Sequence, residues 1–195
     1  MTSVLKKLSN VPNTITLFRC VLYTWAFILW QIPQYFISLY TVAAALDGLD
    51  GYFARKLNQC TRIGQMLDMI VDRSSHIILC NLLSTLLPKY YLFFSSISIL
   101  DIASHWCLVY LHPDHHKKIG NNSPTLLRSY YTYFFVMDIC IFLEECGFML
   151  LYLHGMNVEF KSNILLNIFL CIAGMGWCTK TIINVQQLTY SLENV

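Results

Sequence analysis

Long stretches without charge constrain this chain more than any other feature. Residues 20–46 and 74–88 contain no Asp, Glu, Lys or Arg. About 20 mostly apolar residues are enough for one helix to cross the hydrocarbon core of a bilayer. Over the whole chain 56% of residues are hydrophobic and only 12% are charged, whereas soluble domains carry about 25% charged residues. The sequence therefore predicts an all-α, polytopic membrane protein.

The alternation of apolar segments with polar connections predicts six transmembrane helices in one domain, residues 1–195. Lys6 and Lys7 lie beside apolar residues near the start, which predicts a short amphipathic segment at the membrane interface. The formal net charge of +2 gives no reason to expect a nucleic-acid partner. The predicted helices cover residues 13–31, 34–56, 64–87, 89–111, 125–153 and 161–187.

The basic residues are distributed unevenly between the two ends of these helices. Of the thirteen Lys and Arg residues, all but Lys89 and Lys161 lie at one side or in the helix ends nearest it. Because cytoplasmic loops carry an excess of positive charge, both termini and the connections 57–63 and 112–124 are predicted to face the cytosol.

Four carboxylates interrupt the second and third predicted helices: Asp47, Asp50, Asp68 and Asp72. Their spacing of three and four residues puts each pair on one helical face. A solvated helix face would be the ordinary explanation, but the uncharged flanks disfavour it. Ionisable groups in membrane segments are costly, so the cluster indicates a functional site.

Four neighbouring carboxylates without a counter-ion would repel one another. Divalent cations remove that repulsion, and a donor set made only of oxygens favours Mg²⁺ or Mn²⁺ over Zn²⁺. Shared carboxylates can bridge two such ions. Arg55 adds a forked cation suited to phosphate. Together these groups are typical of phosphoryl or phosphatidyl transfer.

The frame D-x2-D-G-x2-A-R-x8-G-x3-D-x3-D, which runs from Asp47 to Asp72, resembles that of the CDP-alcohol phosphatidyltransferase family at every fixed position. Within that family the chain most resembles the eukaryotic enzymes that use myo-inositol. Cys60 departs from their pattern, which has glycine there. The stretches that carry this closer resemblance are residues 57–62, 66–69, 72–73, 101–106 and 127–132.

The resemblance implies CDP-diacylglycerol and myo-inositol as substrates, with CMP and phosphatidylinositol as products. It implies that Asp47, Asp50 and Asp68 hold one divalent ion. It also implies that Asp47, Asp68 and Asp72 hold a second, with Asp72 as the general base. The residues that it places at the CDP-diacylglycerol headgroup are Gly51, Arg55, Thr61, Asn13 and Thr16.

Four further polar residues are candidates for an inositol pocket, because a polyol needs several hydrogen-bonding partners. A buried structural network explains them equally well. They are Asp101, Ser104, His105 and Arg128. The resemblance further implies the endoplasmic reticulum membrane, an active site facing the cytosol, and a homodimer. Gly174 and Gly176 would permit close helix packing, within the chain or in a dimer.

Other functions remain open on the sequence alone. The shared motif recognises the CDP-linked donor, so serine, glycerol 3-phosphate or another alcohol could replace inositol. A divalent-cation transporter would also explain membrane carboxylates, although not the glycine, alanine and arginine positions of the motif. A catalytically inactive scaffold is disfavoured by the complete set of four aspartates.

Overall fold

A computed structural model describes residues 9–111, 123–158 and 164–194, and all regular structure in those ranges is helical. The all-α prediction is confirmed. Most of the predicted interfacial segment and of the 112–124 connection lies outside the described residues. The helices are α1 (Val11–Ile28), α2 (Pro33–Lys56), α3 (Arg62–Leu86), a 3₁₀ turn (Pro88–Tyr90), α4 (Tyr91–Leu111), α5 (Thr125–Thr132), α6 (Phe134–Gly155) and α7 (Ile164–Glu193).

The chain divides into two compact units, Met1–Ile78 and Leu79–Val195, with the division inside α3. The first unit contains α1, α2 and most of α3. The second contains the end of α3 and the helices that follow it. A single domain over residues 1–195 stays a prediction.

In the first unit α1 and α2 form a tight antiparallel pair. Only four residues separate Ile28 from Pro33, as the sequence predicts, and Pro33 is a favoured first residue because its fixed φ suits a helix. Tyr23 meets Tyr40 with ring centroids 5.0 Å apart in an edge-on arrangement. Such aromatic pairs add about 0.5–1.5 kcal/mol beyond the area they bury, so they fix one face of α1 against α2.

A Schellman motif ends α2 and directs the chain back toward the start of α1. Asn58 adopts a left-handed conformation with φ 53°, which Asn tolerates better than most residues. The amide of Asn58 donates to Arg55 O (3.3 Å), and that of Gln59 donates to Ala54 O (2.9 Å). Gln59 Oε1 then accepts from the amide of Val11 (3.2 Å), which satisfies a donor that the first turn of α1 leaves unpaired.

The predicted helix over 125–153 is wrong as a single element. Tyr133 interrupts it with φ −104° and ψ 89°, outside the helical region, so that α5 ends and α6 begins there. Neither proline nor glycine marks this position in the sequence, and local pattern alone gave no reason to expect the break.

The second unit packs α4 and α6 against α7, and α5 contacts both α6 and α7. One apolar cluster of this unit contains residues from all four helices. Between helices in a bilayer such a cluster is stabilised by close van der Waals packing, because lipid tails are as apolar as the side chains themselves. The buried members are Leu108, Leu127, Tyr130, Cys140, Ile183 and Tyr190.

Two nearby glycines of α7, Gly174 and Gly176, differ in how closely other helices approach them. A Cβ on Gly176 would lie 2.5 Å from Leu143 Cβ of α6, whereas a Cβ on Gly174 would meet nothing within 4 Å. Gly176 therefore serves close packing inside the chain, as the sequence predicts for a small residue. A role of Gly174 in a dimer stays a prediction.

We expect Gly176→Ala to lower the apparent melting temperature in detergent and Gly174→Ala to leave it unchanged or raise it. Overpacking costs about 1–3 kcal/mol, which exceeds the gain of about 1 kcal/mol from replacing a helical glycine with alanine. Gly174→Ala is the matched control, since it receives the gain without the clash. Equal shifts in the two variants would contradict the α6–α7 packing.

Within the described residues, two helical stretches are long and apolar enough to cross a membrane: Pro88–Leu111 and Ile168–Glu193. Their length and apolar composition are the only grounds for this assignment. The helices that carry the four aspartates, α2 and α3, are not selected. The chain thus has membrane-compatible helices, and the six spans expected from the sequence stay a prediction.

Candidate active site

Five charged side chains from three helices of the first unit meet at one point. Arg19 of α1 is buried, with 1% of its side chain exposed, and contacts all four motif carboxylates. Its Nη1 lies 2.8 Å from Asp50 Oδ2 and 2.8 Å from Asp68 Oδ1. Its Nη2 lies 2.7 Å from Asp47 Oδ1 and 2.5 Å from Asp72 Oδ1. Each terminal nitrogen therefore links one aspartate of α2 to one of α3.

Four hydrogen bonds hold the guanidinium in place. Nη1 donates to Asp50 and Asp68, Nη2 donates to Asp72, and Nε donates to Ala43 O of α2 at 3.2 Å. Asp47 adds an ion pair with Nη2. A buried charge is tolerated when it is paired. Arg19 meets that condition, and it ties α1 to α2 and α3 around the cluster.

Exposure varies across the four carboxylates. Asp50 is buried and also accepts a hydrogen bond from Thr16 Oγ1 at 2.9 Å. The side chain of Asp47 is 43% exposed, and Asp68 and Asp72 are partly exposed. The cluster therefore has a closed side at Thr16 and an open side at Asp47, from which solutes can reach it.

The donor set fits divalent cations. Asp47, Asp50 and Asp68 each offer one oxygen, and these atoms all lie within 4.8 Å of one another. Mg²⁺ is coordinated by oxygens at about 2.0–2.1 Å, so small side-chain adjustments would bring the three oxygens onto one ion. Asp72 reaches the same guanidinium from one helical turn further along α3. Oxygen ligands from two rigid helices suit Mg²⁺ or Mn²⁺.

Gly51 lies one turn before Arg55 on α2, and the arginine folds back along it. A Cβ on Gly51 would be 3.3 Å from Arg55 Nη1, a contact tighter than side chains ordinarily accept. The missing side chain therefore leaves room for the guanidinium against the helix. Arg55 is exposed, so this cation is accessible to a phosphate.

The side chains of Thr61 and Asn13 both lie against Gly64 in the first turn of α3. The hydroxyl of Thr61 accepts from the amide of Gly64 at 3.1 Å, which is the hydrogen bond of a helix N-cap. A Cβ on Gly64 would lie 2.5 Å from Oδ1 of the buried Asn13 and 3.1 Å from Thr61 Oγ1. Only glycine allows this approach. The two substrate-binding residues proposed from the sequence thus also fix the start of α3.

We expect Gly64→Ala to reduce both activity and thermal stability, because the new methyl group displaces Asn13 and disturbs the cap of the helix that carries Asp68. Overpacking of this kind costs about 1–3 kcal/mol. Gly48→Ala is the matched control, since a Cβ there meets nothing within 4 Å. Melting temperature and CMP release should be measured together. Wild-type behaviour of Gly64→Ala would contradict the close contact with Asn13.

The four candidate inositol-pocket residues lie in the second unit. Asp101 is buried, its Oδ1 accepts from Asn184 Nδ2 at 3.2 Å, and its carbonyl oxygen lies 2.8 Å from His105 Nδ1. Ser104 donates to the same carbonyl at 3.0 Å. The hydrogen bond to Asp101 makes Asn184 a member of this polar cluster, and no feature of the sequence singles this residue out.

Arg128 lies on α5 near its start, is exposed, and donates to Ser123 O at 3.1 Å. It is therefore held locally and remains accessible. Cys60 is exposed in the connection between α2 and α3, where its small side chain is accommodated next to the Thr61 cap.

Arg19 is a functional residue that local sequence pattern does not identify. The sequence predicts repulsion among four carboxylates, and α1 supplies their counter-ion. Two signals point to it in retrospect: Arg19 is the charged residue immediately before the uncharged stretch 20–46, and it lies three residues after Thr16, on the same helical face. Neither signal identifies the tertiary partner.

The part of the chain that carries these helices and carboxylates matches a known family of enzymes. Residues 9–158 match the CDP-alcohol phosphatidyltransferase family, and the chain belongs to that family. The matched range includes all four aspartates and Arg19. No solved structure matches the chain.

Three relatives are CDP-diacylglycerol–inositol 3-phosphatidyltransferases. A Candida albicans CDP-diacylglycerol–inositol 3-phosphatidyltransferase is 31% identical, covering 91% of this chain and 78% of the relative. The Saccharomyces cerevisiae protein of that name is 35% identical over 78% of this chain and 70% of its own. The Arabidopsis thaliana enzyme 1 is 31% identical over 91% and 85%, respectively. The similarity to these enzymes extends well beyond the motif.

Proposed function

We propose that this chain is a phosphatidylinositol synthase, which transfers the phosphatidyl group of CDP-diacylglycerol to myo-inositol and releases CMP. The observation that carries the proposal is the meeting of four motif carboxylates from α2 and α3 at one point. Family membership supports CDP-diacylglycerol as the donor, and the activity of the relatives supports inositol as the acceptor. Membership in this family also favours a transferase over a cation transporter.

In the proposed reaction Asp72 accepts the proton of an inositol hydroxyl. The inositol oxygen then forms a bond to the phosphorus that carries diacylglycerol. The bond from that phosphorus to the bridging oxygen of the diphosphate breaks, and CMP leaves with the electron pair. The proton rests on Asp72 until solvent or product removes it. Direct attack needs no covalent intermediate with the protein.

The remaining motif residues would bind and orient the donor. Arg55, held against Gly51 and exposed, would pair with the diphosphate. Asn13 and Thr61 adjoin the start of α3, and Thr16 orients Asp50 by its hydrogen bond. Positioning of this kind supplies much of the rate enhancement in phosphoryl transfer.

Asp47, Asp50 and Asp68 would hold one Mg²⁺ or Mn²⁺ ion, and Asp47, Asp68 and Asp72 a second. When bound, two divalent ions neutralise charge on the phosphate oxygens and stabilise the leaving group. The side-chain oxygens within 4.8 Å of one another support the first set. The contact of Asp72 with the same guanidinium supports the second.

A membrane arrangement with six spans follows from the same proposal. The two selected helices and the apolar exposed side chains of α1, among them Phe18 and Trp25, support insertion. The charge distribution supports a site facing the cytosol. Localisation in the endoplasmic reticulum and a homodimer are proposed from the family alone.

Asp101, Ser104, His105 and Arg128 are proposed to bind inositol. The support is chemical: a buried carboxylate with an amide and an imidazole beside it offers the mixture of donors and acceptors that a polyol requires. The mutual hydrogen bonds of the same groups would equally stabilise the helices of the second unit.

The acceptor is tested with purified protein in lipid vesicles that contain CDP-diacylglycerol and Mn²⁺. CMP release is followed after adding myo-inositol, serine or glycerol 3-phosphate separately. We expect release with inositol alone. Release with another alcohol would keep the family chemistry and overturn the proposed acceptor. No release with any of the three, under conditions in which the protein is folded, would contradict the proposed activity.

A further inference from the structure

The guanidinium of Arg19 and the proposed divalent ions require the same carboxylates. Arg19 Nη1 links Asp50 with Asp68, and Nη2 links Asp47 with Asp72, all at 2.5–2.8 Å. Each nitrogen therefore connects α2 with α3, which is also what each proposed ion would do. A cation coordinated by these carboxylates at about 2.1 Å would come into close contact with the positively charged group already between them.

Charge counting gives the same result. Four ionised carboxylates and one guanidinium sum to −3, and two divalent ions add +4. If Arg19 kept every contact, the centre would become +1; if it withdrew, the centre would be neutral. Arg19 is buried, and like charges at contact distance repel more strongly where water screens them less, so the neutral arrangement is favoured.

We propose that Arg19 is a built-in competitor of the divalent ions, a positioning residue that holds the four carboxylates together and gives up contacts as the ions bind. This inference rests on the proposed metal centre. It adds a consequence that a purely structural arginine would not have: Arg19 weakens metal binding while it stabilises the protein when divalent ions are removed.

The first test compares wild type with Arg19→Gln, which is similar in length and keeps hydrogen-bonding capacity but loses the charge. The full chain, purified in detergent, is titrated with Mn²⁺ alone, and free Mn²⁺ is read from its electron paramagnetic resonance signal. We expect the apparent dissociation constant to fall at least about tenfold in Arg19→Gln. We also expect a lower melting temperature in EDTA that recovers as Mn²⁺ saturates the site.

Thr16→Val is the matched control. Thr16 also bonds Asp50, but it carries no charge, so its loss should not tighten Mn²⁺ binding. Arg19→Lys gives a second variant if Arg19→Gln does not fold. Lysine keeps one charge with three donors in place of five, and its Mn²⁺ affinity should lie above that of wild type.

A measurement on the wild-type chain is independent of any variant. Phenylglyoxal labels accessible guanidinium groups, and mass spectrometry can report labelling at Arg19, which is otherwise buried. Because Mn²⁺ is proposed to release contacts of Arg19, labelling at this position should increase with Mn²⁺. Unchanged labelling at saturating Mn²⁺ would overturn the competition.

The remaining outcomes separate this inference from the proposed function. If wild type binds Mn²⁺ and Arg19→Gln binds it equally or more weakly, Arg19 organises the site without competing, and only the present inference is lost. If neither wild type nor either variant binds Mn²⁺, the metal centre of the proposed function fails together with the inference.

Discussion

Asp72→Asn should lower the rate of CMP release at least about 10³-fold at saturating inositol and Mn²⁺. General base catalysis contributes about 10²–10⁴-fold, and an amide cannot accept the proton. The asparagine oxygen can still meet Arg19 Nη2, which contacts the aspartate at 2.5 Å. The substitution should therefore leave the fold intact while it removes the base.

The Mn²⁺ dependence of the rate distinguishes a base from a metal ligand. Raising Mn²⁺ should not restore the rate of Asp72→Asn, although it would compensate for a weakened ligand. Asp138→Asn is the charge-matched control, because Asp138 is exposed on α6 and lies outside the motif. Near wild-type turnover by Asp72→Asn would refute the base assignment and leave the other three aspartates to be tested.

Asp68→Ala should abolish both activity and high-affinity Mn²⁺ binding. Asp68 belongs to both proposed ligand sets, so its removal affects both ions together. We expect turnover below about 10⁻³ of wild type, and rescue by excess Mn²⁺ should be incomplete. Ser74→Ala on the same helix, at an exposed position, is the matched control.

The same variant should be no less stable than wild type in EDTA. Four carboxylates share one guanidinium at 2.5–2.8 Å, so removing one relieves repulsion among the remaining three. Its melting temperature should therefore stay the same or rise while activity is lost, as is common where a site is built for function rather than stability. A large fall in melting temperature would indicate that Asp68 has a structural role instead.

The sequence predicted the parts of this protein that depend on local pattern. Uncharged apolar runs identified the helices, and the short connection before Pro33 appears where it was expected. The spacing of Asp47 and Asp50, and of Asp68 and Asp72, predicted one carboxylate pair on each of two helices. Both pairs then meet at Arg19 of α1, whose guanidinium contacts all four carboxylates.

What the sequence missed depends on tertiary contacts. Arg19 is one basic residue in the middle of an apolar helix, and no local rule assigns it to carboxylates between 28 and 53 residues away. The helix break at Tyr133 is equally hard to predict from the sequence, since aromatic residues are compatible with a helix. Gly64 was recognised as part of the motif, but only the structure relates it to Asn13.

A count of bound Mn²⁺ tests the central claim, a two-ion centre built from four carboxylates, most directly. Wild-type chain in lipid with CDP-diacylglycerol should bind two Mn²⁺ ions, and electron paramagnetic resonance should show the spectrum of a spin-coupled pair. Asp68→Ala should neither bind two Mn²⁺ ions nor show the spectrum of a spin-coupled pair. A wild-type chain that binds no Mn²⁺, or only an isolated ion that persists in Asp68→Ala, would contradict the account.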